Sequence, residues 1–309
     1  MELIRGEHNL RPRHRGCVAT IGNFDGVHIG HQAVLNNLIR CAREQHLPAT
    51  VIVFEPQPAE YFAGEAAPAR LTRLREKVAL LAALGIDRLL VLRFDAALAA
   101  LSADEFVRRI LIDGLAVQSL TIGDDFKFGK RRTGDFSVLQ RYAQRHGFVL
   151  GRADSLLLAG ERVSSTLIRA KLLAGEMRDV ERMLGRRYCI GGRVVHGHKR
   201  GREIGFPTAN LDLHRIKSPL AGIYAVSVRG LGATPVAGVA YLGTRPIIDD
   251  PRFVLEVHLF DFERDCYGEH IEVDFVAKVR DDMVFSSFEA LSAQIARDCE
   301  AARVMIAAA

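Results

Sequence analysis

Cys17-Val18-Ala19-Thr20-Ile21 runs directly into Gly22-Asn23-Phe24-Asp25-Gly26-Val27-His28-Ile29-Gly30-His31, and the residues that follow carry Val34, Leu38 and Ala42 four apart. The first five residues read as a short buried strand, and the spacing after His31 gives a helix one apolar face. The glycines between them let backbone approach a ligand closely. The start of the helix offers unpaired N–H groups and a partial positive charge, worth roughly 0.3–1 kcal/mol per favourable charge. His28 and His31, three apart, can face the same side of that start. Two imidazoles aimed at phosphate oxygens would stabilise charge developing on an attacked phosphorus. The plainer alternative is an Asp25-Gly26 turn with His28 as an ordinary helix cap.

The same alternation continues downstream. Thr50–Phe54 is a β-branched run without a polar side, Arg88–Phe94 and Gln118–Ile122 read as further strands, and Phe148–Gly151 as a last short one. Helical patterns lie between them. Thr72 is placed to cap a helix with Leu74, Val78 and Leu81 on one face, Ser102-x-x-Glu105 is a capping box before Phe106 and Ile110, and Phe136–Arg145 is a third helix. Strands separated by helices predict a parallel, doubly wound sheet whose ligands sit beyond the carboxyl ends of the strands.

Past two helical stretches, Ser165–Leu173 and Val180–Leu184, the pattern changes. Tyr188–Val195, Ile223–Arg229, Val236–Leu242, Phe253–Phe262 and Ile271–Val279 follow one another as strand-like runs with no helix between them, and Leu291, Ile295 and Cys299 mark a closing helix. This predicts a small antiparallel barrel. The expected division is 1–185 and 186–309.

Length and charge agree with two soluble domains. The chain has 309 residues, 49% apolar and 26% charged, which is an ordinary globular balance. No apolar run approaches the length of a membrane span. The five scattered cysteines include no C-x-x-C pair, which disfavours disulfides and zinc and reads as cytoplasmic. The net charge is +5, and the segment from Arg186 onward holds 16 basic and 16 acidic residues, so the whole excess precedes it. That suits an anionic small molecule better than a nucleic acid. The basic cluster Lys127–Arg132 reads as a solvated loop in preference to a polyanion site.

Three further segments carry chemistry. Ser164, Ser165 and Thr166 open a helix with Arg169 one turn on, a set that can hold the remaining oxygens of a triphosphate or simply cap the helix. Gly197-His198-Lys199-Arg200-Gly201-Arg202 is a flexible basic loop ahead of Phe206-Pro207-Thr208-Ala209-Asn210. Thr208 and Asn210 are oxygen donors two apart, on one side of extended backbone, as a Mg²⁺–nucleotide site would need. Glu256 lies inside the apolar run Val254–Leu259, on the face of Val254 and His258. A carboxylate there can accept the proton of an attacking hydroxyl, or be a surface Glu paired across a sheet.

These motifs, with Phe54-Glu55-Pro56, Arg70-Leu71-Thr72-x-x-Arg75-Glu76-Lys77, Gly123-Asp124-Asp125-Phe126-Lys127-Phe128-Gly129, Gly222-Ile223-Tyr224-Ala225, Gly243-Thr244-Arg245-Pro246 and Asp261-Phe262, follow one order over residues 16 to 285. In that order and spacing the chain resembles the bacterial bifunctional riboflavin kinase/FMN adenylyltransferase (FAD synthetase) family. The resemblance implies an α/β, Rossmann-like H-x-G-H nucleotidylyltransferase domain followed by a six-stranded antiparallel β-barrel with a C-terminal helix. It implies that riboflavin is phosphorylated to FMN, and that FMN is adenylylated by a second ATP, with Mg²⁺ accompanying the nucleotide. It places Gly22, Asn23, Asp25, His28, His31, Ser164, Ser165, Thr166 and Arg169 at the ATP of the adenylyltransferase, and Phe54, Asp125 and Phe128 at its flavin. In the kinase it places Gly197, Lys199, Gly201, Arg202, Pro207, Thr208 and Asn210 at ATP, Thr208 and Asn210 at the metal, and Glu256 as base. Riboflavin, FMN and ATP are the implied partners, with apo-flavoproteins as FAD acceptors and neither nucleic acid nor membrane. Three positions depart from the family pattern: Gln57 for His, Tyr241 for Asn or Ser, and Ile247 for Thr. The first could weaken adenylylation and the other two could change flavin affinity in the kinase.

Overall fold

A computed structural model describes residues 1–197, 205–213, 217–244 and 253–309. The chain forms two compact units, one of residues 1–68 and 72–164 and the other of residues 69–71 and 165–309.

In the first unit, strands β1 (Glu2–Arg5), β2 (Cys17–Ile21), β3 (Ala49–Glu55), β4 (Arg88–Arg93), β5 (Val117–Gly123) and β6 (Val149–Ala153) form one sheet in the order β1-β4-β3-β2-β5-β6. Every pairing is parallel. Successive residues of a strand face opposite sides, and both sides are apolar. Ile52 and Phe54 join a cluster with Phe106, Val107, Ile110 and Leu139. Val51 and Val53 join the opposite one with Leu35, Leu38, Ala42 and Leu81. The helices that cover these faces are α1 (Ile29–Glu44), α3 (Leu74–Ala83), α5 (Ala103–Phe106) with a π-helical continuation over Val107–Gly114, and α6 (Phe136–His146). Short helices α2 (Pro58–Ala63) and α4 (Ala96–Ala100) follow β3 and β4. The chain passes from β2 to β3 on one side and later returns beside β2 as β5. This reversal opens a crevice at the carboxyl ends of β2 and β5, where such sheets take their ligands. A two-stranded hairpin, β7 (Leu157–Leu158) with β8 (Glu161–Arg162), ends this part of the chain.

The second unit starts with helices α7 (Ser165–Ala174) and α8 (Met177–Leu184). Six strands then close into an antiparallel barrel in the order β10-β13-β12-β11-β14-β9, where β9 is Tyr188–Val195, β10 Ala209–Asp212, β11 Gly222–Arg229, β12 Val236–Thr244, β13 Phe253–Leu259 and β14 His270–Arg280. Tyr224, Val226, Val257, Val273 and Phe275 are fully buried, filling the interior from alternate positions. Helix α9 (Phe288–Ala307) begins at Ser287, whose hydroxyl accepts the Ala290 N–H. It lies on the barrel's outer wall, where Ile295, Cys299 and Ala302 meet Ile223, Ala225 and Val239. On the helix's buried face Asp298, almost fully buried, receives Arg280 Nε and Nη2 at 2.9 and 2.7 Å. Among the described residues no helix is long and apolar enough to cross a membrane.

Two local expectations change. Thr72 does not cap α3: Arg73 takes the cap position, because the Thr72 hydroxyl is engaged by the Asp25–Gly26 loop. The buried stripe of α1 is Leu35, Leu38 and Ala42, whereas Val34 turns to a cavity at the crevice.

Candidate functional site

The Gly22–His31 loop is fastened from below. Asp25, 2% exposed, accepts the Thr72 N–H at 3.0 Å and the Thr72 hydroxyl at 3.3 Å. The same hydroxyl accepts the Gly26 N–H at 3.0 Å. Phe24 and Val27 take left-handed φ values of 45° and 43°, unusual for side chains of their size and held here by these contacts. His28 is the N-cap of α1, its Nδ1 accepting the His31 N–H at 3.2 Å. In the neutral ring the proton is therefore on Nε2. The capping role and the paired-imidazole role coexist: the two rings stack with centroids 3.6 Å apart and 18° between planes. A Cβ at Gly30 would come within 3.1 Å of His28 Nδ1, so glycine leaves room for this ring. His31 Nδ1 is buried with no hydrogen-bond partner. Burial, then the charges of His28 and Lys77, hold the His31 imidazole well below its usual pKa, so it is neutral.

Beside this loop is a cavity of about 720 Å³. Gly22, Asn23 and His31 line one part of it, and Phe54, Phe62, Phe94, Phe106, Phe126 and Phe128 another. Phe126 and Phe128 stack at 5.5 Å and 19°, and Phe54 meets Phe94 edge-on at 5.7 Å. Phe128 is locked by a two-way backbone bridge to Gly134, where any Cβ would strike its ring at 2.6 Å. Phe54 and Phe128 thus serve both as buried packing and as cavity wall. Asp125, Lys127, Arg131 and Arg132 also line the cavity. Arg131 and Arg132 are consecutive left-handed residues, φ 55° and 60°. Lys127 pairs with Asp135 at 3.1 Å, and Asp125 lies 3.7 Å from Arg162. The basic cluster is therefore a cavity lining as well as a loop.

Sequence reasoning missed Phe62, Phe94, Arg131 and Arg132 as cavity residues, and took Phe106 for core alone. The three phenylalanines come from separate parts of the chain and the two arginines from a fourth, so no spacing links them. Ser164 ends the first compact unit, and Ser165, Thr166 and Arg169 lie on α7 in the second. Arg169 Nε donates to the Ala69 carbonyl at 2.6 Å. Gln57, one of the three departures, is 6% exposed; its N–H donates to Glu60 at 2.8 Å and its Nε2 is buried without a partner.

In the barrel, register assembles the site. Asn210 on β10 is directly opposite Glu256 on β13, and Glu256 is directly opposite Tyr241 on β12. Leu255 and Val257 point into the barrel, so Glu256 faces outward with its neighbours. Asn210 Nδ2 donates to the Thr208 carbonyl at 3.2 Å, which turns its Oδ1 the other way. A Cβ at Gly197 would fall 2.5 Å from Asn210 Cγ, so only glycine admits the amide in this position. Tyr241 donates to Asp282 at 3.1 Å. Pro207 and Thr208 precede β10, and the Pro207 carbonyl accepts from His258 Nδ1 at 2.9 Å. Lys199, Gly201 and Arg202, and the third departure, Ile247, lie outside the described residues.

Known proteins divide in the same way. The FAD synthetase family model matches residues 10–167 and the riboflavin kinase model matches residues 184–306. The Escherichia coli K12 bifunctional riboflavin kinase/FMN adenylyltransferase is 50% identical over 299 residues, 96% of each chain. Proteins of the same description from Pseudomonas fluorescens and Haemophilus influenzae are 50% and 48% identical, over 99% and 98% of this chain and 98% of each relative. Among solved structures, a Streptococcus pneumoniae protein described as a macrolide-efflux protein superposes with a TM-score of 0.83 at 29% identity, covering 98% of this chain and 99% of its own.

Proposed function

The chain belongs to the bifunctional riboflavin kinase/FMN adenylyltransferase family, and we propose that its two reactions divide near Gly185, each at one of the two side-chain constellations above. It phosphorylates riboflavin to FMN with ATP and adenylylates FMN to FAD with a second ATP, releasing pyrophosphate. The pairing of Asn210 with Glu256 across two strands, in a unit that does not contain His28 and His31, carries the division.

In the kinase, Glu256 accepts the proton of the riboflavin 5′-hydroxyl as that oxygen attacks the γ-phosphorus of ATP, and ADP leaves. Thr208 Oγ1 and Asn210 Oδ1 are neutral oxygens of the kind a hard divalent cation takes, and Gly197 clears the space that the Asn210 amide needs. The nitrogen of that amide is the end nearer Thr208, so Oδ1 would meet the cation from the opposite side of the amide. Members of this family use ATP with a divalent metal, for which we propose Mg²⁺, supplying charge neutralisation at the β- and γ-phosphates. Lys199, Gly201 and Arg202, with Gly197 and Pro207, belong to the same ATP site.

In the adenylyltransferase, an FMN phosphate oxygen attacks the α-phosphorus of ATP and the bond to pyrophosphate breaks. His28, donating through Nε2, and neutral His31 stabilise charge on the α-phosphate oxygens, with no proton transfer needed. Gly22 and Asn23 approach the nucleotide through backbone and an exposed side chain, while Asp25 holds the loop in shape through Thr72. Ser164, in the same unit, takes a departing phosphate. The aromatic cavity suits the flat isoalloxazine of FMN: Phe54 and Phe128 wall it, Asp125 offers an acceptor, and the Arg131 and Arg132 side complements an anion. The product FAD would pass to apo-flavoproteins in the cytoplasm, in keeping with five free cysteines.

Replacing Glu256 by Gln is expected to abolish FMN formation while FAD formation from supplied FMN persists. The double substitution His28→Ala, His31→Ala is expected to do the reverse. Loss of both activities from either variant in a folded protein refutes the division.

A further inference from the structure

We propose that His258 is the positioning residue of the phosphoryl-transfer site, fixing Thr208 by clamping the carbonyl that precedes it; this rests on the assignment of Thr208 and Asn210 to the nucleotide-bound metal. A carbonyl oxygen only accepts, so the 2.9 Å contact between His258 Nδ1 and the Pro207 oxygen means that Nδ1 carries the proton. The ring has little freedom to do otherwise. Phe206 meets it edge-on at 5.4 Å and 83°, and Phe260 at 5.9 Å and 71°.

The consequence lies in what the ladder leaves out. Pairing between β10 and β13 begins at Ala209, opposite Val257, so Pro207 and Thr208 stand ahead of the strand. The carbonyl before Thr208 is held by His258, and the carbonyl of Thr208 itself by Asn210 Nδ2 at 3.2 Å. With the peptide planes on both sides pinned, both backbone torsions of Thr208 are set, and with them the direction of its Cα–Cβ bond, from which the hydroxyl reaches to 3.5 Å of Asn210 Nδ2. His258 is two residues from Glu256 on the same outward face of β13. The strand that presents the base therefore also holds the metal-side ligand, and the two cannot drift apart independently.

The test uses the full-length enzyme and measures both reactions. In His258→Ala, KM for Mg-ATP in riboflavin phosphorylation is expected to rise roughly 3- to 10-fold, the worth of one ordinary hydrogen bond, and the Mg²⁺ concentration for half-maximal rate is expected to rise with it. KM for riboflavin and the rate of FAD formation from FMN should stay unchanged. His258→Asn should restore the wild-type KM for Mg-ATP, because its amide nitrogen occupies the place of Nδ1. His258→Gln, whose nitrogen lies one bond further out, should not. A wild-type KM for Mg-ATP in His258→Ala, equal loss in the Ala and Asn variants, or a change confined to riboflavin KM overturns the clamp. Thr208→Ala and Asn210→Ala separate the two readings. If they abolish riboflavin phosphorylation while His258→Ala is silent, the clamp alone fails. If they leave it intact, the metal-side assignment fails and the clamp falls with it.

Discussion

The two sites are built by different means. In the α/β unit one continuous decapeptide, Gly22–His31, delivers both imidazoles, and the constraint on it is local: a cap, a stack, and one hydroxyl from Thr72. In the barrel, Asn210, Glu256 and Tyr241 lie on three separate strands, and antiparallel register alone places them in a row. A loop-and-helix site tolerates changes elsewhere in the sheet but fails when its own loop slips. A register site depends on every strand that sets the register, since a shift of one residue turns Glu256 into the barrel.

The sharpest way to break this comparison is at the imidazoles and the carboxylate. Loss of both His28 and His31 should lower FAD formation by roughly 10²–10³-fold for each lost donor, and Glu256→Gln should lower FMN formation by roughly 10²–10⁴-fold. Each change should spare the other product, measured by chromatography. Next in size is the basic side of the cavity. Arg131→Ala with Arg132→Ala should raise KM for FMN by roughly 10-fold or more, as loss of a charged hydrogen bond does, with riboflavin phosphorylation as the unaffected control. A smaller effect is expected at Gly197→Ala, where the new Cβ displaces the Asn210 amide. KM for Mg-ATP in the kinase step should rise several-fold, with FAD formation unaltered.

The smallest effect is on stability and has a sign that can be worked out. His31 is held below its usual pKa by burial first, so the unfolded chain binds its proton at a higher pH than the folded one. Stability from this residue is therefore complete above about pH 6.5 and declines as pH falls from there. Substituting Gln for His31 should flatten the acid-side decline of the first unit's unfolding, followed by denaturant titration at several pH values.

Much of the molecule could be read from its residues, because the signals were local. The strand, glycine loop and helix at 17–44 follow from an apolar run, glycines and spacing, and the Ser102–Glu105 capping box forms as written. The unread parts lack such signals. β1 is four residues with one buried side chain, and β10 is another four-residue strand, too short to show alternation. Thr72 looked like a cap because Thr often is one, yet its hydroxyl serves Asp25 and Gly26, 47 and 46 residues away. The phenylalanines of the cavity, from Phe24 to Phe128, come from distant parts of the chain apart from the pair Phe126 and Phe128, and only the fold brings them together. The tie from His258 to Pro207 spans 51 residues and uses a backbone carbonyl, which leaves no trace in side-chain pattern. Glu256 showed the reverse: an acid in an apolar strand was visible at once, but its neighbours Asn210 and Tyr241 were not, since register is a property of the closed barrel.

Counting nucleotide is the most direct test of two separate sites. Calorimetric titration of the riboflavin-saturated enzyme with a non-hydrolysable Mg-ATP analogue should give two equivalents bound per chain, falling to one when His28 and His31 are both replaced by Ala. One equivalent in the unaltered enzyme, lost entirely in that variant, would show a single shared pocket.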